Sequence, residues 1–162
     1  MKIRAFLCLG ALLAVPTFAS AALTCPGTLL SKPFSGAQGD TCTNGSNSIS
    51  SMCSGGIDSP GNDDAYQING DGSSVSLTVT PTGTAWDVAV QVMTAACGNG
   101  TCLSGTGGAD ANGVGGAETV SFTAAAATTY WVIVYSGQTV ANCGTYTISG
   151  QLPVSLQKFS VD

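Results

Sequence analysis

The sequence has no histidine and little charge of either sign: among 162 residues there are four Lys and Arg and nine Asp and Glu, or 8% charged. Without imidazole there is no Ser–His–Asp or Cys–His catalytic group, no histidine-ligated zinc and no histidine pH switch. The few cations and the net charge of −5 argue against nucleic acid, whose phosphates need clustered Lys and Arg. Glu118 is the only glutamate, so a carboxylate-pair hydrolase would have to use aspartates almost alone. General acid–base chemistry therefore lacks good candidates, and the chain reads as non-catalytic. What it does have is 44% hydrophobic residues, 22 glycines and seven cysteines. That is ample material for one folded domain.

The first 21 residues have the pattern of a secretory leader. Lys2 and Arg4 supply the positive start, Ala5 to Val15 is apolar, Pro16 breaks the run, and Ala19-Ser20-Ala21 is a small-residue cleavage pattern. The apolar run falls short of the roughly 20 residues that a membrane-spanning helix needs. Three segments follow: a leader over 1–21, a domain over 22–151, and a tail or final strand over 152–162. Cleavage would leave nine acids against Lys32 and Lys158, a mature charge of −7 with no arginine. The expected location is outside the cytoplasm, in the periplasm or beyond. Cys8 leaves with the leader, so six cysteines remain: Cys25, Cys42, Cys53, Cys97, Cys102 and Cys143. An even count in an exported chain predicts three disulfides rather than a thiolate metal site. The turn-forming Gly98-Asn99-Gly100-Thr101 suggests Cys97–Cys102. A second local loop suggests Cys42–Cys53, which leaves Cys25 with Cys143.

Short alternating runs separated by Gly, Asn, Asp, Ser and Pro predict strands throughout. Val75, Leu77 and Val79 alternate with Ser and Thr, and Trp86, Val88, Val90 and Val92 share the face of another strand. Thr119 to Phe122, Gly144 to Ser149 and Tyr66 to Ile68 are shorter strands. The run Thr129-Tyr130-Trp131-Val132-Ile133-Val134-Tyr135 is apolar on both faces, which predicts a central strand covered on both sides. Close turn signals favour an all-β fold, a disulfide-stapled antiparallel β-sandwich of jelly-roll-like type. Residues 98–116 are glycine-rich and predict a long mobile loop closed by Cys97–Cys102. Residues 35–63 are similarly loop-like.

The order of these signals resembles the bacterial pre-peptidase C-terminal domain family of secreted β-sandwich modules. The resemblance rests on Pro33-Phe34-Ser35 with Gly39-Asp40-Thr41, on Gly61-Asn62-Asp63-Asp64-Ala65-Tyr66, and on Trp86-Asp87-Val88. It continues through Thr129-Tyr130-Trp131-Val132 to Gly144-Thr145-Tyr146. It implies a module that attaches to an extracellular protein or polymer, and some relatives bind calcium or collagen. With no catalytic domain ahead of it, a stand-alone binding protein is the expectation.

Asp58, Asn62, Asp63 and Asp64 stand close together in a loop. They are candidate oxygen ligands for calcium, or else turn-capping groups that satisfy backbone N–H. No other cofactor is implied. The tyrosines and tryptophans are either core or a carbohydrate-binding face. The tail from Leu152 is either an edge strand or a docking segment. This leaves two function classes: a secreted binding module for an extracellular protein or neutral polymer, or a structural or adhesive surface subunit using the tail for strand addition.

Overall fold

The computed structural model describes residues 27–31, 34–43, 45, 51–53, 57–59, 61–83, 86–97, 100–137 and 142–152. Its strands in chain order are β1 (Thr28–Leu29), β2 (Ala37–Asp40), β3 (Ser51–Met52), β4 (Ile57–Asp58), β5 (Asp64–Asn69) and β6 (Ser73–Pro81). They continue with β7 (Val88–Thr94), β8 (Thr101–Cys102), β9 (Gly108–Ala109), β10 (Glu118–Ala124), β11 (Thr129–Ser136) and β12 (Thr145–Gln151).

Two sheets face each other. The smaller has the order β10-β6-β12-β2; the larger runs β1-β5-β11-β7-β8, with β9 also paired to β7. The ladders are antiparallel except β1–β5, which is parallel. The architecture is the predicted β-sandwich. Alternation sets the inner faces: Val75, Leu77 and Val79 of β6, Val120 of β10 and Ile148 of β12 are buried against Val88, Val90, Val92, Val132 and Val134. Fully burying one such side chain stabilises by about 1.5–3 kcal/mol.

The larger sheet is apolar on its outer face as well. Ala89, Met93, Ile133 and Tyr135 form a second cluster there with Met52, which is 1% exposed. Met52 and Ile57 come from the β3–β4 hairpin, so the apolar residues on both faces of β11 are accounted for. Strand β11 is central, between β5 and β7. Ring packing also limits side chains at two places. A Cβ at Gly39 would strike the Tyr146 ring, and one at Gly144 would strike the Trp86 indole.

The expected disulfide pairings are not the ones formed. Cys42 bonds Cys143 with Cα atoms 5.0 Å apart, and Cys53 bonds Cys102 with Cα atoms 5.2 Å apart. Cys97 is disulfide-bonded too, to a partner outside the described residues, where Cys25 also lies. Strand register explains the difference. On the β2–β12 ladder Thr145 faces Asp40, so two residues further on Cys42 faces Cys143. On the β7–β8 hairpin Cys102 faces Met93, and Cys97 stands in the connection rather than opposite it. Cys102 shares the outer cluster with Cys53, and those two sulfurs meet.

Residues 98–116 differ from the expected open loop. β8 and β9 add to the edge of β7, and buried Gln91 donates through Nε2 to the carbonyls of Leu103 and Gly107 at 3.3 and 3.2 Å. The 35–63 stretch likewise contains β2, β3 and β4. Ala126 and Ala127 form the turn between β10 and β11. Leu152, expected to begin the tail, is buried in the inter-sheet cluster. The leader and residues 153–162 lie outside the described residues.

Peptide mapping of the non-reduced protein is expected to recover Cys42–Cys143 and Cys53–Cys102 linked peptides; a Cys97–Cys102 peptide in their place would refute this topology. In the chain-entropy model, closing a loop of about 100 residues is worth roughly 4.7 kcal/mol. The Cys42→Ser, Cys143→Ser double variant should therefore lose several kcal/mol in chemical denaturation.

Candidate functional site

The acidic loop before β5 divides at the strand. Asp64 lies on the inward side with Tyr66 and Ile68, whereas Asp63 is turned the other way and accepts a hydrogen bond from the Ser59 hydroxyl. Asn62 is half-buried beside them, and the side chain of Asp58 lies outside the described residues. Asp63 and Asp64 therefore do not converge on one point. Among the described residues no three Cys, Asp or Glu side chains are grouped to hold a metal ion.

Asp64 instead takes part in a polar link between the sheets. The Tyr146 hydroxyl on β12 donates to Asp64 Oδ2 at 2.6 Å and lies 2.8 Å from the Tyr66 hydroxyl on β5. Burial raises the Asp64 pKa above the ordinary carboxylate value and the Asp40 charge adds to this, while the Tyr146 hydrogen bond works the other way. Burial is also the first cause holding both phenols up.

A second acidic group occupies the rim where β7 and β10 begin. Glu118, 2% exposed, accepts the backbone N–H of Ala111 at 2.8 Å and of Asn112 at 2.6 Å through Oε1, anchoring the preceding connection. Asp87 has its Oδ1 buried without a hydrogen-bond partner among the described residues. Its pKa is raised by burial and by the Glu118 charge. That of Asp110 is raised by burial and then by Asp87 and Glu118. Asp71 accepts from the Ser73 backbone N–H at 3.1 Å.

The aromatic residues are core. Trp86, Tyr66, Tyr130, Tyr135 and Tyr146 are all buried, and Trp131 packs half-buried on the outer cluster of the larger sheet. What the smaller sheet presents to solvent is a field of hydroxyls. Thr119, Thr78 and Ser149 form one row across β10, β6 and β12, and Ser121, Ser76 and Gln151 the next. Thr80, Thr147 and Gln38 continue it across β6, β12 and β2. Neighbouring hydroxyls meet, Thr78 with Thr119 at 2.9 Å and Ser121 with Ser76 at 3.2 Å. On the described face only Asp40, at the β2 margin, is charged. Its carboxylate already accepts the Cys42 N–H at 2.9 Å and the Thr43 hydroxyl at 2.7 Å. Sequence reasoning passed over this face because it followed the apolar half of each alternation. The other half, Ser74-x-Ser76-x-Thr78-x-Thr80, carried the signal.

No family model matches the chain, and no curated protein does. Among solved structures it is similar to the pre-peptidase C-terminal domain of a collagenase from Bacillus anthracis. Identity is 15%, the TM-score 0.45, and the likeness covers 72% of this chain and 87% of that one. Values this low assign no activity, and the sandwich stands on its own strand pairings.

Removing the bridging hydroxyl in Tyr146→Phe leaves half-buried Asp64 without this donor and is expected to cost about 1–3 kcal/mol in urea denaturation; an unchanged midpoint would refute the link. Stability should also rise toward acid pH. Asp64, Asp87 and Asp110 have folded-state pKa values above the unfolded value, so the folded protein holds these protons more tightly. Their contribution is full below the unfolded pKa near ~3.9 and is lost as pH rises through the raised values. The melting temperature should be higher at pH 4 than at pH 8, and Asp87→Asn should flatten that slope. An equal slope in the variant would exclude Asp87 as a source.

Proposed function

We propose that this chain is a non-catalytic, exported β-sandwich that works by binding an uncharged extracellular polymer or a protein. The observation that carries this reading is the division of chemistry between interior and surface. Three of the carboxylates are engaged in holding the fold: Asp63 with Ser59, Asp64 with Tyr146, Glu118 with two backbone amides. The cysteines among the described residues are all disulfide-bonded. The outer face of the smaller sheet carries Ser, Thr and Gln, with Asp40 at its margin and no cation among the described residues.

Disulfides favour an oxidising compartment, and the leader pattern over 1–21 supplies a route to it. No helix among the described residues is long and apolar enough to cross a membrane. A surface so poor in cations offers little to an anionic partner, so neutral ligands fit it better.

Expression with the leader intact should deliver a product lacking residues 1–21 to the periplasm or medium, read by N-terminal sequencing and mass. The purified product should cleave none of a panel of peptides and glycans, yet be retained by at least one immobilised extracellular polymer or protein. Turnover abolished by one Asp→Asn substitution would overturn the non-catalytic reading.

A further inference from the structure

We infer that the Ser/Thr face of the smaller sheet is the binding surface, and that it docks on the hydroxyl-bearing surface of an insoluble neutral polysaccharide. The inference rests on the binding reading above and adds to it the site and the ligand class.

Exposed strand faces ordinarily keep a protein soluble with Lys, Glu and other charges. Here four adjacent strands present hydroxyls and amides instead, and the lone carboxylate of Asp40 is tied up by its own turn. Strand spacing of about 4.8 Å and a two-residue repeat of about 6.8 Å make the array a two-dimensional lattice. Each hydroxyl donates, accepts and rotates to suit its partner. An anionic surface would find no cation among the described residues of this face. Among the described residues the face has no Arg, and the one partly buried aromatic lining its depression is Phe122, so it is poor in the anchors that carry protein-interface affinity. A neutral polymer rich in hydroxyls matches both the charge and the hydrogen-bonding capacity of the face.

The shape selects a packed surface over a single dissolved chain. Sites for small ligands enclose most of the ligand, whereas this face is open. A shallow depression of about 540 Å³ on it is lined by the polar Ser74, Ser76, Thr106, Ser121, Thr123 and Gln151 together with Val75 and Phe122. Many weak hydrogen bonds made at once to neighbouring sugar chains supply avidity that one short oligomer cannot. The opposite outer face of the molecule is unsuited to the role, because the β3–β4 hairpin lies over it.

The test is sedimentation of the full chain with microcrystalline cellulose, chitin and insoluble β-glucan. It is paired with the triple variant Thr78→Val, Thr80→Val, Thr147→Val, which keeps side-chain shape and removes three hydroxyls. A second variant, Thr119→Val with Ser121→Ala, probes the neighbouring strand, and melting temperatures confirm folding. Retention on at least one polysaccharide is expected, at least tenfold weaker in each folded variant and poorly competed by soluble oligomers of the same sugar. Retention on a polysaccharide that neither variant changes would overturn the face assignment and leave the binding reading standing. Retention by an immobilised protein alone would overturn the polysaccharide ligand and leave that reading standing too. Faceted ice growth without polysaccharide retention would replace the ligand with a crystalline water surface. Retention on nothing tested would overturn both.

Discussion

Burial of β11 on both faces is the constraint from which much of the architecture follows. Tyr130, Val132 and Val134 point into the space between the sheets, while Trp131, Ile133 and Tyr135 point outward. An apolar strand of this kind cannot sit at an edge or face water on one side. It must lie between β5 and β7, and something must cover its outer side. The β3–β4 hairpin does so through Met52 and Ile57, and the Cys53–Cys102 bond holds it to the β7–β8 edge. The second described bond, Cys42–Cys143, lies at the end of the β2–β12 ladder in the other sheet. One disulfide thus secures a cover and the other fixes a register.

The two sheets share the core and differ in what lies outside it. The larger sheet buries both sides, while the smaller sheet buries one and leaves a hydroxyl lattice on the other. Between them, Tyr146 reaches from β12 to Asp64 and Tyr66 on β5. Carboxylates collect at the margins, where Glu118 organises a connection and Asp87 and Asp110 are held near it at an electrostatic cost. Charge at the rims and its scarcity on the open face are two sides of one distribution.

Much of the fold was legible because period-two patterning is local. The inward faces of β6 and β7 follow from Val75, Leu77 and Val79 and from Trp86, Val88, Val90 and Val92. The central place of β11 follows from its doubly apolar run. The segment after Cys97 was misjudged because its two-residue strands β8 and β9 exist only by pairing with β7. Glycine-rich sequence carries no pattern that announces such pairing. The Asp63–Asp64 pair looked like one ligand cluster in sequence, yet alternation at the start of β5 sends the two side chains to opposite sides.

The sequence by itself determined the class of the fold, the inward residues of the main strands and the absence of imidazole chemistry. Each of these depends on composition or on neighbours a few residues apart. Only the tertiary structure decided which cysteines meet, because register across strands some 50 to 100 residues apart sets the distance between sulfurs. It also decided that serines and threonines from β6, β10 and β12 become one surface. Each strand carries only a stripe of them, and hydrogen-bonded pairing turns separate stripes into a face.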